Sequence, residues 1–342
     1  MTYTELLKKA RTAFGGSCLA CPVCNGLGCK NRMPGPGAKG TGDTSARNYA
    51  KWQEIRVNMD TLCGNEPIDL SCKLFGRQFC YPFFAGPVGA VNLHYSDVCN
   101  DVRYNDTLVA ACAENGIAAF TGDGTDPNVM QAATAAIRSA GGVGVPTVKP
   151  WNLDTIREKM KLAAASSSFA IAMDVDAAGL PFLKNMTPPA GSKSVDELRE
   201  IIAAAGEKPF IVKGIMTVKG AEKAAKAGAA AIVVSNHGGR VLDQCPATAE
   251  VLPEIADAMK GSGMKILVDG GLRSGTDIFK ALALGADAVL IARPFVTAVY
   301  GGGKEGVKVT IDKYAAELSD TMQMCGAHSL AEITPDMVRL PR

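Results

Sequence analysis

The stretch KILVDGGLRSGTDIFKALALGADAVLIARPF, residues 265–295, contains two short apolar runs, KILV and AVLI, on either side of an amphipathic segment. The runs are continuous rather than alternating, which is typical of parallel strands buried on both faces. The segment between them opens with Ser and Thr and ends at Gly285, as a capped helix does. The stretch is therefore predicted to be a β-α-β unit.

The same unit repeats along most of the chain, because eight apolar runs alternate with Ala-rich amphipathic segments. Eight consecutive β-α units predict an α/β fold, namely a (β/α)8 TIM barrel. A doubly wound sheet is the weaker alternative, since GPVGAVN after the first run is not the G-x-G-x-x-G loop of that fold. The runs occupy residues 82–89, 116–122, 143–148, 169–176, 209–214, 230–236, 265–271 and 286–292.

Residues 1–80 differ in composition from this repeat. They contain a cluster of cysteines and the glycine-rich stretch PGPGAKGTGDTS, residues 34–45. We therefore predict two parts, an N-terminal Cys-rich extension over residues 1–80 and the barrel over residues 81–342.

The composition argues against several classes of protein. A formal net charge of +2 over 342 residues does not indicate nucleic acid or a membrane surface as the main partner. No apolar run is long enough to span a membrane, and MTYTELLKKARTAF lacks the apolar core of a signal peptide. Eleven cysteines, an odd number, favour reduced thiols or metal ligands over a disulfide scaffold. We expect a cytoplasmic protein that forms a homo-oligomer.

Polar residues close most of the apolar runs. In a TIM barrel the chemistry lies at the carboxyl ends of the strands, so these residues predict an active site on one rim. They are Thr121, Asp123, Thr147, Lys149, Asp174, Asp176, Lys213, Ser235, Asn236, His237, Arg240, Asp269, Arg273 and Arg293.

The last two strand ends, VDGGLRSG and IARPF, predict a phosphate site. Glycines allow backbone N–H groups to approach an anion, a helix N-terminus adds positive charge, and Arg273 and Arg293 can bind phosphate oxygens. Lys213 ends an apolar strand, where an unpaired ammonium is costly, so we expect it to face an anion or a carbonyl.

The sixth strand end, SNHGGR, predicts acid–base chemistry. His237 can accept a proton near neutral pH, especially if a carboxylate orients its other ring nitrogen. Asp174 and Asp176 point to the same side of their strand, so either could be that carboxylate. Arg240 can bind a substrate carboxylate.

The segments VKGIMTVKGAEKAAKAGAAAIVVSNHGGRVLD, VDGGLRSGTDIFKALALGADAVLIARPF and GVKVTIDKYAAEL closely resemble the FMN-dependent α-hydroxy-acid oxidase and dehydrogenase family. The resemblance is strong over residues 209–295, fair over residues 56–89 and thin between them. It implies a barrel that binds FMN and oxidises a small hydroxy acid.

The resemblance also implies roles for individual residues. His237 resembles the catalytic base, Asp176 the residue that orients it, and Arg240 the carboxylate-binding arginine. Lys213 resembles the lysine that stabilises negative charge on the reduced flavin. With the other strand-end residues, the predicted cofactor-binding set is Ala85, Pro87, Val88, Thr121, Asp174, Lys213, Ser235, Asp269, Gly270, Gly271, Arg273, Ala292 and Arg293.

The chain departs from the family pattern on the substrate side. PTVKPW replaces a Gln-x-Tyr at the third strand, Asp174 replaces a flavin-binding threonine, and Ala292 replaces a glycine. The loop AAGLPFLKNMTPP has no second substrate-binding arginine and only Lys184 nearby, and no N-terminal substrate tyrosine is evident. The flavin half of the site is therefore expected to be kept, while much of the substrate half is replaced.

SCLACPVCNGLGC contains Cys18, Cys21, Cys24 and Cys29 in a C-x2-C-x2-C-x4-C array. This spacing is close to that of bacterial ferredoxins and predicts a [4Fe–4S] cluster, with zinc or free redox thiols as alternatives. We hypothesise that the array relays electrons from FMN or clamps the barrel mouth. The glycine-rich stretch after it could cover the flavin, move as a lid or serve as a linker.

The sequence therefore predicts an FMN oxidoreductase that acts on a small molecule and passes electrons to an unidentified acceptor. One alternative is an FMN-dependent isomerase like type 2 isopentenyl-diphosphate isomerase, although that enzyme lacks SNHGGR. Another is a flavin and metal redox protein that serves a partner.

Overall fold

The eight apolar runs form a closed barrel of parallel strands in the computed structural model, which describes residues 1–180, 183, 185–187 and 189–341. The barrel strands β4 to β11 follow one another in chain order, and the last pairs with the first. Each predicted run coincides with one of them, with β8 ending one residue beyond its run, so the predicted TIM barrel is confirmed. The strands of the described residues are β1 (Arg56–Val57), β2 (Cys72–Leu74), β3 (Arg77–Phe79), β4 (Phe83–Ala85), β5 (Ala119–Thr121), β6 (Gly144–Val148), β7 (Ile171–Asp174), β8 (Phe210–Ile215), β9 (Ala231–Val234), β10 (Lys265–Val268), β11 (Ala288–Ile291) and β12 (Val338–Arg339).

Helices connect the barrel strands and cover their outer face. Several begin at a side chain that accepts a hydrogen bond from the first turn, such as Asn152, Ser194 and Thr217. The helices are α1 (Tyr3–Ala13), α2 (Asp43–Glu54), α3 (Val91–His94), α4 (Asp101–Glu114), α5 (Pro127–Ser139), α6 (Leu153–Ala165), α7 (Val195–Ala204), α8 (Val218–Ala227), α9 (Thr248–Ala258), α10 (Gly275–Ala283) and α11 (Arg293–Cys325).

The N-terminal helix α1 packs on the long helix α11. Leu6 of α1 is fully buried, and its carbonyl oxygen would lie 2.5 Å from a Cβ atom placed on Gly301. The small residue lets the two helices approach closely, so α1 is fixed to the outside of the barrel. A left-handed glycine, Gly303, interrupts the regular path of α11.

The barrel interior is filled by side chains from all eight strands, and most of these strand residues are buried. The core therefore ends at the carboxyl rim, where polar residues begin. None of the helices in the described ranges is long and apolar enough to cross a membrane.

Candidate active site

The carboxyl ends of the barrel strands surround a cavity of about 400 Å³. Such a volume is within the range of about 300–1,000 Å³ that is usual for small-molecule sites. Twelve residues of the predicted site line it: Pro87, Val88, Asp174, Lys213, His237, Arg240, Asp269, Gly270, Gly271, Arg273, Ala292 and Arg293. Ala85, Thr121, Ser235 and Asp176 lie behind this lining rather than in it.

His237 forms a hydrogen-bonded pair with Asp176 from the 3₁₀ turn after β7. His237 Nδ1 lies 3.0 Å from Asp176 Oδ1, which leaves Nε2 free to act on a molecule in the cavity. Burial acts to raise the pKa of Asp176, but His237 and Lys213 bring it below its ordinary value. The carboxylate is therefore ionised and can stabilise a protonated imidazole.

The backbone at His237 holds the ring in this position. Its φ angle is +57°, in the left-handed region that non-glycine residues avoid, and Gly238 and Gly239 continue the turn with positive φ angles. The His237 N–H donates to Ser235 Oγ at 3.1 Å. Strain of this kind persists where the surroundings over-determine the conformation, as they often do at functional sites.

Lys213 at the end of β8 is buried between two strand ends. Its Nζ donates to Ser235 Oγ at 2.9 Å and lies 3.2 Å from Asp269 Oδ2. Burial acts to lower the pKa of Lys213, but Asp269 and Asp176 raise it above its ordinary value. Lys213 therefore carries a fixed positive charge at the cavity wall.

Asp174 at the end of β7 pairs with Lys149 from the loop after β6. The distance between Asp174 Oδ2 and Lys149 Nζ is 3.2 Å, whereas Oδ1 has no hydrogen-bond partner in the described part of the chain. Burial raises the pKa of Asp174 in spite of Lys149. This pair occupies the positions at which the chain departs from the family pattern.

A tight turn after β10 brings the backbone to the cavity. Gly270 and Gly271 both have φ angles of +87°, and a Cβ atom on Gly271 would lie 2.2 Å from the carbonyl oxygen of Asn48 in α2. Trp52 of the same helix donates from Nε1 to the Gly270 carbonyl oxygen at 2.8 Å. Helix α2 thus fixes a turn whose N–H groups lie just before the N-terminus of α10.

The glycine-rich stretch lies over the mouth of the cavity. Arg240 donates from Nη1 to the carbonyl oxygens of Gly35 at 2.7 Å and Gly37 at 2.9 Å. Arg293 donates from Nη2 to the Gly37 carbonyl oxygen at 3.2 Å, and Pro34 and Gly35 line the cavity. The stretch is therefore part of the site and is anchored by two predicted ligand-binding arginines.

His94 is a site residue that the sequence analysis missed. It lines the cavity, and its Nε2 lies 3.5 Å from Arg240 Nη2, while its Nδ1 accepts a hydrogen bond from the Gly35 N–H at 3.2 Å. Burial and the charge of Arg240 lower the pKa of His94 to about 3, so this imidazole is neutral. Its only signal in the sequence is the rarity of histidine, which occurs three times.

One part of the cavity wall is apolar, although Asp123, Thr125 and Lys149 also line the cavity. Val88, Leu93 and the loop residues Leu180, Leu183 and Met186 line it. Lys184, the cation expected near this loop, lies outside the described residues.

The four clustered cysteines line a second cavity of about 340 Å³, formed by the loop between α1 and α2. None of the eleven cysteines forms a disulfide. Burial acts to raise the pKa of Cys24, but Arg273 and Arg293 bring it below its ordinary value. Arg273 donates to the Cys24 carbonyl oxygen at 2.8 Å and approaches its Sγ to 3.8 Å.

Among the described residues, one group of three side chains meets the geometry of a metal site. Donor atoms of Asp174, Asp176 and His237 lie within 4.8 Å of one another. The hydrogen bond between His237 and Asp176 already accounts for this arrangement.

The family model described as FMN-dependent dehydrogenase matches residues 35–185 and 181–340 of the chain. The peroxisomal (S)-2-hydroxyacid oxidase of Arabidopsis thaliana is 47% identical over 147 residues, which are 43% of this chain and 39% of that protein. An L-lactate dehydrogenase of Xanthomonas campestris is 45% identical over 152 residues, 44% of this chain and 38% of that protein. The chain thus matches less than half the length of these curated relatives.

Solved structures give a longer match. A tyrosine-to-phenylalanine variant of mandelate oxidase with a monooxide FMN adduct superposes with a TM-score of 0.75 and 27% identity, over 89% of this chain and 93% of that chain. A flavocytochrome b2 variant with sulfite bound superposes with a TM-score of 0.77 and 25% identity, over 87% of this chain and 79% of that chain.

Proposed function

The chain belongs to the FMN-dependent dehydrogenase family, and on that premise we propose that it oxidises a 2-hydroxy acid with bound FMN. The observation that carries this proposal is the hydrogen-bonded pair of His237 and Asp176 at the wall of the cavity. Proton removal from a hydroxyl needs a base of this kind. The pair therefore favours oxidation over the isomerase and the non-enzymatic redox protein.

The residues after β10 and β11 fit the phosphate of FMN. Gly270 and Gly271 line the cavity, so their backbone N–H groups could face an anion there, and a side chain on Gly271 would collide with α2. Arg273 and Arg293 line the same cavity and would neutralise the phosphate charge. This arrangement of glycines, helix N-terminus and arginines is common in TIM-barrel phosphate sites.

Residues around Lys213 fit the rest of the cofactor. Asp269 Oδ1 and Asp174 Oδ1 have no hydrogen-bond partner in the described chain, so both could accept hydrogen bonds from the cofactor. When bound, FMN accepts a hydride from the substrate carbon. The buried ammonium of Lys213 would stabilise the negative charge that accompanies this transfer.

His237 would take the hydroxyl proton at Nε2 as the hydride leaves the substrate. Asp176 holds the opposite ring nitrogen, so that it orients the ring and stabilises the imidazolium. The cavity wall and the glycine-rich stretch would exclude water during this step.

Arg240 would bind the substrate carboxylate. Its Nη1 already donates to two carbonyl oxygens of the glycine-rich stretch, and its Nη2 lies 3.5 Å from His94 Nε2. The substrate carboxylate would therefore bind at Nε and at the second N–H of Nη2. The apolar wall formed by Leu93, Leu180 and Leu183 favours a 2-hydroxy acid with an apolar side chain.

Substituting His237 tests this proposal. We expect the His237→Asn variant to retain FMN. Its substrate should reduce the bound flavin about 10²–10⁴-fold more slowly than in the wild type, because the base is lost. Anaerobic stopped-flow absorbance after mixing with 2-hydroxy acids of increasing side-chain length measures this rate. His328→Asn is the matched control, because His328 lies away from the cavity and contacts Glu332 and the Gly64 carbonyl oxygen. Equal rates for wild type and His237→Asn would remove the histidine from the mechanism.

We also propose that Cys18, Cys21, Cys24 and Cys29 bind a [4Fe–4S] cluster. Tetrahedral zinc with Zn–S bonds of about 2.3 Å would hold its sulfurs roughly 3.8 Å apart. No three of these sulfurs in the described structure lie within 4.8 Å of one another, and the cavity that they line is about 340 Å³. A cluster spaces its thiolate ligands more widely than a single ion, so these dimensions favour iron–sulfur over zinc. Iron, sulfide and zinc analysis of anaerobically purified protein tests this choice.

Other expectations from the sequence are also proposals. They are the division between residues 80 and 81, a cytoplasmic location and a homo-oligomer. Light scattering during size-exclusion chromatography tests the last of these.

A further inference from the structure

The cofactor cavity and the four-cysteine cavity share a wall. Tyr95, Arg273 and Arg293 line both of them. A centre bound to the cysteines would therefore be separated from a bound flavin by a single layer of side chains.

Arg273 is the most direct link across this wall. Its Nε donates to the Cys24 carbonyl oxygen at 2.8 Å, and its Nη2 lies 3.8 Å from Cys24 Sγ. The same residue follows the Gly270–Gly271 turn and faces the cofactor cavity. One guanidinium thus contacts a thiol of the array and borders the place where the flavin phosphate would bind.

The outer side of the array has the properties of a docking surface. Leu19, Val23 and Leu27 are 45%, 46% and 55% exposed, although they are large apolar residues. They lie between the cysteines in the sequence, and we call them the array patch. Exposed apolar groups of this kind often mark a protein contact.

The segment that carries the array patch is positively charged. Residues 6–42 contain no Asp or Glu, and their six basic residues are Lys8, Lys9, Arg11, Lys30, Arg32 and Lys39. Arg11 donates to the Leu19 carbonyl oxygen at 2.8 Å, so one cation lies directly beside the patch. The cavity is also lined by Lys313 and Glu317, which pair at 2.7 Å, and by Asp277, which is buried and lies 3.6 Å from Lys280. The surface is complementary to an acidic partner.

We infer that the four-cysteine centre carries electrons between the flavin and a small acidic one-electron carrier protein that docks on the array patch. This inference rests on the proposed FMN and cluster sites. Oxidation of one 2-hydroxy acid to the 2-oxo acid releases two electrons and two protons. One proton goes to His237, and the other reaches the flavin with the electron pair as a hydride. The two electrons then leave one at a time through the centre and reduce two carrier molecules, while both protons pass to solvent.

Electron transfer in the reverse direction tests this path without a substrate. Oxidised, FMN-loaded enzyme is mixed anaerobically with reduced plant-type ferredoxin, an acidic one-electron donor of low potential. Loss of the flavin absorbance gives the rate. We expect two ferredoxins to reduce one flavin in the wild type, and Cys21→Ala to be at least tenfold slower. Cys63→Ala is the control, since Cys63 is exposed and lies outside the array.

Two further measurements identify the cause of any difference. Dithionite is small enough to enter the cavity, so it should reduce the flavin equally fast in wild type and Cys21→Ala. Lys30→Glu should slow reduction by ferredoxin at low ionic strength and approach the wild-type rate at high salt, because charge attraction is screened. If the Cys21→Ala variant loses FMN, it can be replaced in the assay by wild-type protein from which a chelator has removed the iron.

Three results would overturn the inference: protein that binds no iron, protein that binds zinc instead, or equal rates with ferredoxin in wild type and Cys21→Ala. Failure of every 2-hydroxy acid to reduce the flavin would instead contradict the proposed function. The ferredoxin assay does not depend on that result, so the two failures can be distinguished.

Discussion

At the scale of single residues, the proposed chemistry depends on which nitrogen of His237 faces the cavity. Asp176 holds Nδ1 at 3.0 Å, and the strained backbone with φ of +57° fixes the ring. The sequence predicted both residues: the strand pattern left Asp174 and Asp176 as alternatives, and the family resemblance implied Asp176. The structure pairs Asp176 with the histidine and Asp174 with Lys149.

Asp176→Asn should slow reduction of the flavin by substrate at least roughly tenfold while FMN stays bound. The amide keeps the shape of the carboxylate but cannot stabilise the imidazolium by charge. Stopped-flow rates of flavin reduction measure this effect, and an unchanged rate would show that Asp176 is not needed.

His94 should make stability depend on pH. Its pKa is lowered to about 3 in the folded protein, against about 6.5 for an ordinary histidine. Below about pH 6.5 the unfolded chain binds a proton that the folded chain does not, so stability falls as pH falls towards 3. The slope from this group is at most about 1.4 kcal/mol per pH unit.

Urea unfolding of wild type and His94→Asn over this pH range isolates that contribution. Other buried groups, such as Asp174, are common to both proteins and cancel in the difference. We expect the free energy of unfolding to fall less steeply in the variant. Parallel curves would contradict a neutral, buried His94.

At the scale of elements, the sequence predicted those strands and helices whose positions are controlled by local patterns of residues. Eight buried runs produced eight strands because continuous apolar segments between capped helices leave few other arrangements. Strand-end polar residues met in one cavity because parallel strands all end on the same rim. By contrast, β1 pairs with β12 across most of the chain, and both are two residues long, so no local pattern reveals them. No local pattern reveals the path of the glycine-rich stretch or the place of His94 in the cavity either, because long loops set both.

Gly271→Ala should destabilise the turn after β10 and weaken FMN binding. Alanine at φ of +87° is strained, and its Cβ would lie 2.2 Å from the Asn48 carbonyl oxygen. Gly261→Ala is the matched control, because Gly261 also has a positive φ, +77°, but no atom lies within 4 Å of the added Cβ. We expect Gly271→Ala to cost about 1–3 kcal/mol more than the control. Urea unfolding and FMN titration measure the two effects, and equal costs would mean that α2 does not constrain the turn.

At the scale of the whole molecule, the N-terminal segment completes the site that the barrel begins. Helix α1 packs on α11, α2 supports the Gly270–Gly271 turn, and the segment between the two helices covers the mouth and carries the cysteine array. The barrel and the strand-end residues that line the cavity could be predicted because they follow a repeating pattern. The shared wall between the two cavities could not, because Arg273 and Cys24 are 249 positions apart in the sequence.

The most direct test of the account is an anaerobic titration of the FMN-loaded protein with 2-hydroxy acids that carry apolar side chains, followed by flavin absorbance. We predict that the protein binds FMN and that the hydroxy acid bleaches the flavin with formation of one 2-oxo acid per flavin reduced. A protein that refuses FMN, or a bound flavin that no such acid reduces, would contradict it.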